Sequence, residues 1–327
     1  MAPPTSGEER FVKLGYRSVK FPSEELAQME DCNHLLGDVD ALHREMEEKG
    51  YLLIRGLHDR EEVLAAREAV LEYINSLGDK LDKVHPIKEG VLREGCGLGC
   101  LPVMEGRNEI SHKNTVLAVL EGHRPFDFFK KYFNEDVITY DYKWLRAIHQ
   151  EGFTGAHVDN VYMSRGSANL HTMWTPVGDV PIEQGVLAIC EGSNRLPSFK
   201  HFQETYGEMD AEEIGLKGTG WFTEDPFEIT RKFGGQWKTT DFRAGDALIF
   251  NMRTVHMSTT NTTNFARISC DTRWQPASHP VDPRYCGDFE NHKSKSKFGL
   301  RSMLSDGEEP APQAVTTIEK LKEEWGI

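Results

Sequence analysis

No run of apolar residues in this chain approaches the roughly 18 that a membrane-spanning helix requires. The opening stretch from Met1 to Arg10 is polar and carries no apolar signal core. A soluble, cytoplasmic protein with no membrane partner is therefore expected. Basic residues are scarce: 38 Lys and Arg stand against 52 Asp and Glu, a formal charge of −14. A general nucleic-acid binder needs a basic face, so that class of partner is not expected. Cysteine is sparse too, six in 327 residues, which argues against a disulfide framework. Cys96 and Cys100 lie in a glycine-rich run, but no second pair of ligands follows at zinc-knuckle spacing, and they read as reduced thiols. Large rings are not scarce. Six Trp, nine Tyr and seventeen Phe supply bulky pieces for a core.

The length suits one elaborated barrel or sandwich domain over 1–327. Residues 1–36 are polar and read as an irregular arm laid over the core. Val39, Leu42 and Met46 fall at helical spacing before Gly50, and Tyr51 to Ile54 reads as a short buried strand. A second helix is expected over Arg60 to Leu77. Residues 79–115 are rich in glycine and read as a loop at the mouth of a site. An aromatic helix is expected over Phe126 to Phe133. Strands are expected over Thr139 to Ile148, Leu170 to Pro176 and Val186 to Cys190. Residues 197–242 read as an insertion, either a lid or a surface excursion. Residues 278–313 read as loop with a solvated lysine run, and Ala314 to Trp325 as a closing helix within 314–327. Many short strands between Gly and Pro turns imply a mainly β jelly-roll with flanking helices.

The chemistry gathers around Gly155-Ala156-His157-Val158-Asp159-Asn160. On a strand, His157 and Asp159 would share a face, and His256 can supply a third ligand from elsewhere. Two histidines and one carboxylate on one side of a metal is the donor set of non-haem Fe(II) oxygenases. Gly245-Asp246 turns into the apolar run Ala247 to Phe250, His256 follows, and Arg267 lies eleven residues further on. His157, Asp159, His256 and Arg267 at this spacing resemble the phytanoyl-CoA dioxygenase-like family of Fe(II)/2-oxoglutarate oxygenases, over about residues 40 to 285. Ser258 matches the family's hydroxyl two residues after the distal histidine. Trp174 stands about where relatives place a tryptophan beside the co-substrate. One departure is Gly192-Ser193-Asn194, where the family usually has His in place of Asn194.

The resemblance implies a double-stranded β-helix core, cupin-like, with N-terminal helices. It implies Fe(II) held by His157, Asp159 and His256, with 2-oxoglutarate as co-substrate and O2 as oxidant. Arg267 and Ser258 would grip the far carboxylate of 2-oxoglutarate, with Trp174 beside it. Related halogenases lack the carboxylate ligand, so its presence as Asp159 points away from halogenation. The expected reaction is hydroxylation of an unactivated C–H bond, with desaturation or oxidative ring closure open, and succinate as by-product. Lys143, Arg146, Arg165 and Arg195 suggest a small carboxylate-bearing metabolite as substrate, amino-acid-like molecules included. Arg146 and Tyr162, close in sequence to the metal motif, are the substrate candidates. Tyr162, His171 and Arg273 also admit plain structural roles, as do the arginines among those cations. An acyl-CoA 2-hydroxylase, a metal-holding module without turnover and a zinc hydrolase remain open, but the last gives Ser258 and Arg267 no purpose. The sequence carries no sign of oligomeric state.

Overall fold

The computed structural model describes residues 9–99, 109–286 and 316–327. The first strands, β1 (Arg10–Leu14) and β2 (Arg17–Phe21), form an antiparallel hairpin. A short β3 (Leu26–Gln28) follows. Helix α1 (Val39–Lys49) starts where the Asp38 carboxylate accepts from the Ala41 N–H, and stops at Gly50 with φ +85°. Next come β4 (Tyr51–Ile54) and α2 (Arg60–Ser76). Helices α3 (Asn114–Leu120) and α4 (His123–Phe133) precede β5 (Val137–Thr139) and β6 (Trp144–Ile148). Strands β7 (His171–Pro176) and β8 (Leu187–Glu191) follow. Helices α5 (Lys200–Glu204) and α6 (Pro226–Phe233) lead into β9 (Gln236–Thr239). The core closes with β10 (Ala247–Asn251), β11 (His256–Ser258) and β12 (Arg267–Pro276), and α7 (Ile318–Trp325) ends the described chain.

Two sheets face each other. The larger runs β4-β10-β7-β12-β5, with β6 also paired to β12; the smaller runs β11-β8-β9-β3. Strand periodicity explains the packing. Leu248 and Phe250 of β10 point between the sheets and join Ile189 and Trp237. Ala247 and Ile249, on the opposite face, pack with Leu42 and Met46 of α1 and Phe129 of α4. Helices α2 and α3 cover Leu145 and Ala147 of β6 and Ile268 and Cys270 of β12. Both faces of the larger sheet are thus buried, which is why β4 reads as an unbroken apolar run. The sheet-rich sandwich with flanking helices is the expected jelly-roll class.

Several segments depart from the sequence expectation. Within 1–36, residues 10–28 are not an irregular arm: they hold three strands, and β3 pairs parallel with β9. Arg10 clips this hairpin down by forking onto Glu183 (2.9 Å) and Asp241 (2.6 Å). Segment 197–242 is more than a lid or excursion. Its β9 is an interior strand of the smaller sheet, and Phe199, Phe202, Tyr206 and Phe222 lie in the main core. Its charged residues dominate the sequence pattern, and its scattered rings, which have no helical or strand period, fill the core. The strand expected over 139–148 is broken at 140–143 into β5 and β6. The loop at 79–115 is tied down in part by bridges Leu81–Leu92 and Val91–Phe265; its residues 100–108, with Cys100, lie outside the described residues. So do most of the 278–313 loop and its lysine run.

Candidate active site

His157 sits in extended chain beside β11. Its backbone and that of His256 exchange two N–H···O bonds, each 3.0 Å, as an isolated bridge. The two imidazoles therefore adjoin, with ring centroids 4.2 Å apart. Asp159 is not two places along one strand, as expected, but opens a single 3-10 turn, Asp159–Val161. The turn swings its carboxylate back toward both rings.

The backbone orients each ring. The Gly155 carbonyl accepts from His157 Nδ1 at 2.8 Å, and the Thr254 carbonyl accepts from His256 Nδ1 at 3.0 Å. A carbonyl can only accept, so both Nδ1 atoms carry a proton, and each Nε2 is the ring atom turned toward Asp159. Each Nε2 lies 3.6 Å from Asp159 Oδ1. Gly155 has to be glycine here: a Cβ would come within 2.6 Å of the Trp221 ring and 2.9 Å of the Thr223 carbonyl.

The three side chains are buried, and their ligand atoms all lie within 4.8 Å of one another. Burial works to raise the Asp159 carboxyl, but Arg273 foremost, then His256 and His157, hold it well below the usual carboxylate range. Burial and the neighbouring His157 push His256 down to about 3, against the pull of Asp159. His256 is thus a neutral imidazole and Asp159 an anion, the protonation states a divalent cation requires. The donor set, two imidazoles and one carboxylate, fits Fe(II) with its remaining positions open. Among the described residues this is the one cluster of three such donors.

The same cavity is lined by Arg146, Trp174, Ser258, Arg267 and Asp271. Strand β12 explains much of this. Its alternate residues Arg267, Ser269, Asp271 and Arg273 turn inward, while Ile268, Cys270 and Trp274 turn to the helices. A strand normally buries its apolar set; this one also buries a row of polar groups, which costs free energy unless each is engaged. Arg267 donates to Ser269 Oγ, and its guanidinium lies 6.0 Å from the centre of the Trp174 ring. Ser258 Oγ accepts from the Thr154 N–H at 2.7 Å, which leaves its hydroxyl proton for the cavity.

A model of the phytanoyl-CoA dioxygenase family matches residues 46–269, which span every residue of this constellation up to Arg267. The chain belongs to that family. It is an enzyme, an iron- and 2-oxoglutarate-dependent oxygenase using O2. Among its relatives is a 1-deoxypentalenic acid 11-beta-hydroxylase of Streptomyces exfoliatus, 27% identical over 286 residues, covering 78% of this chain and 88% of the relative. The enzyme of the same name from Streptomyces arenae is 25% identical, covering 76% and 85%. A similar solved structure is that of the alpha ketoglutarate dependent carbocyclase SnoK from nogalamycin biosynthesis, with TM-score 0.50 and 20% identity, covering 81% and 92% of the two chains. EctD from S. alaskensis, solved with 2-oxoglutarate and 5-hydroxyectoine, superposes with TM-score 0.50 at 15% identity, covering 95% of each. These two likenesses concern the fold.

The remaining candidates of this dioxygenase-family chain divide between the cavity wall and places away from it. Arg146 reaches the cavity wall, with Nε 3.3 Å from Asp271 Oδ2. Tyr162 packs edge-on to His157, 5.7 Å between centroids, and its hydroxyl donates to the Thr219 carbonyl at 2.8 Å. The other cations lie elsewhere: Lys143 pairs with Glu121 at 2.5 Å, Arg165 pairs with Asp210 at 2.5 Å, and Arg195 is exposed. His171 is packed against the rings of Tyr132 and Phe133. Asn194 donates to the Glu47 carbonyl at the end of α1, at 2.9 Å. Asp271 pairs with Arg146 at 3.3 Å, and Asp246 pairs with Arg55 at 2.6 Å. Sequence reasoning passed over Thr172, which also lines the cavity, and gave Arg273, 3.2 Å from Asp159 Oδ2, a structural part. The signal for Arg273 was there, in the every-second-residue polar row after Arg267. Thr172 had none.

Proposed function

We propose that this enzyme oxidises an unactivated C–H bond of a small, carboxylate-bearing metabolite, amino-acid-like acids included, by hydroxylation or by oxidative cyclisation or desaturation. The observation that carries the reading is the convergence of His157, Asp159 and His256 with Arg267 and Ser258 on one buried cavity. His157 Nε2, His256 Nε2 and Asp159 Oδ1 would hold the iron. Arg267 and Ser258 would hold the far carboxylate of 2-oxoglutarate through parallel charge-assisted bonds and a hydroxyl, with Trp174 packed beside it. When bound, iron with 2-oxoglutarate and O2 supplies an oxidant strong enough for an unactivated carbon, and 2-oxoglutarate leaves as succinate and CO2. Burial keeps water from these groups, so the protein's part is to place and shield the reacting carbon. Arg146 would meet the substrate carboxylate, exchanging part of its contact with Asp271 for it. Tyr162 would set one wall next to His157. Small acids are also favoured by the relatives, whose name gives a carboxylic acid as the molecule hydroxylated.

The test is succinate release from 2-oxoglutarate under Fe(II) and O2, read across a panel of small carboxylic acids and acyl-CoA thioesters. A small acid should raise succinate release well above the substrate-free rate, and His157→Ala should abolish it. Stimulation by thioesters alone would overturn the substrate class. An Arg146→Ala enzyme with an unchanged KM for the acid would overturn the anchoring role.

A further inference from the structure

Asp159 has two oxygens, and the chain treats them differently. Oδ1 faces the two imidazoles, 3.6 Å from each Nε2. Oδ2 faces away, accepting from Thr172 Oγ1 at 2.6 Å and lying 3.2 Å from Arg273 Nη2. Thr172 and Arg273 are direct cross-strand partners on β7 and β12, so one register places both on the same oxygen.

Arg273 is an odd residue to bury for structure alone. It is 2% exposed. Its Nε meets only the Met163 sulfur, at 3.2 Å, and its Nη1 has no hydrogen-bond partner among the described residues. Its face lies 4.4 Å from the centre of the Trp144 ring, which fixes the plane of the guanidinium without satisfying its donors. A structural ion pair would engage the whole fork. Among the described residues, the one anion it pairs with is the carboxylate of the triad.

Resting on the reading above, we propose that Thr172 and Arg273 are positioning residues for the carboxylate ligand. By occupying Oδ2 they keep Asp159 a one-oxygen ligand through Oδ1. A carboxylate free to rotate could bind through both oxygens and take up a position that 2-oxoglutarate or O2 needs. The pair also holds Asp159 in place while the cavity is open, so the site is formed before the metal arrives.

The experiment uses the full chain with Co(II) as a redox-silent probe, followed by its d–d absorption without and then with 2-oxoglutarate. The variants are Thr172→Val, which keeps the shape and removes the donor, Thr172→Ser, which restores it, and Arg273→Gln. Outer partners of metal ligands are worth roughly 10- to 100-fold in affinity. Thr172→Val should weaken Co(II) by about that factor and alter the Co(II) band, and Thr172→Ser should return both toward wild type. Arg273→Gln should do the same and should lower the yield of oxidised product per succinate. If Arg273→Gln fails to fold, the two threonine variants decide. Wild-type affinity and an unchanged band in folded Thr172→Val would overturn the proposal while leaving the enzyme's proposed function standing. Absence of Co(II) binding in the wild-type chain would instead strike the reading on which it rests.

Discussion

Arg267 is buried on the inward face of β12, and in that setting the shape of a cation matters as much as its charge. A guanidinium can hold a carboxylate by two parallel bonds; an ammonium is a point charge and cannot. Arg267→Lys is therefore expected to raise the KM for 2-oxoglutarate roughly 10- to 100-fold, the scale of one or two lost charge-assisted bonds. Metal affinity measured without 2-oxoglutarate should stay near wild type; a lysine enzyme with an unaltered KM would show that Arg267 does not grip the co-substrate. Two other residues govern behaviour in acid. His58 lies within 3.3 Å of Thr175 Oγ1, and His171 sits among aromatic rings; burial pushes each down to about 4. Both stay neutral in the fold, whereas the unfolded chain takes up a proton on each near pH 6.5. The unfolded state thus binds more protons below that point, and stability falls as pH drops from about 6.5 toward 4, by up to about 3 kcal/mol for each group. Urea midpoints between pH 7.5 and 5 should decline on acidification, and more shallowly in His171→Gln. An identical slope in that variant would remove His171 from the account.

Helix α2 begins at Asp59, whose carboxylate accepts from the N–H groups of Glu61 (2.9 Å) and Glu62 (3.2 Å). Removing that cap in Asp59→Ala should cost about 1 kcal/mol of stability and leave kcat untouched once the protein is folded; thermal melts with matched assays would show it. The end of α1 reaches further. A Cβ on Gly50 would fall 2.7 Å from Thr254 Oγ1 at a φ of +85°. Thr254 Oγ1 itself donates to the Gly50 carbonyl, and the Thr254 carbonyl orients His256. Gly50→Ala is thus expected to destabilise by more than about 1 kcal/mol and to disturb metal binding as well, unlike the cap variant. Elements of this kind were legible in the sequence. Helix α1 with its glycine stop and β4 with its unbroken apolar run carry their whole signal locally, and both lie where the periodicity placed them. Strand β3 could not be read, because three residues have no period and it exists only through pairing with β9. The 3-10 turn at Asp159 was missed for a related reason: His-x-Asp looks the same on a strand as on a turn, and the bridge to His256 decides between them. The candidate residues that converge on the cavity could be picked out because their spacing is a pattern of the whole chain rather than of any one element.

At the scale of the molecule, the site stands astride the two sheets. His256 belongs to the smaller sheet, while Thr172 and Arg273, which hold Asp159, belong to the larger. A bound metal would link them, and whatever binds only the folded chain stabilises it, by about 3 kcal/mol at a hundred times its Kd. Co(II) or Ni(II) is therefore expected to raise the thermal midpoint by a few degrees, chelator to reverse it, and His157→Ala to abolish the shift; an unmoved midpoint in the wild type would contradict the linkage. The sheets also join early chain to late chain. Strand β4 finds its partner in β10, about two hundred residues downstream, and β3 finds its own in β9. On a ribosome, then, Tyr51 to Ile54 emerge with α1 beside them but long before the strand that pairs with them. The two sheets therefore cannot close until β9 and β10 have been made, and the unpaired edge of β4 is where a chaperone would have the most to do.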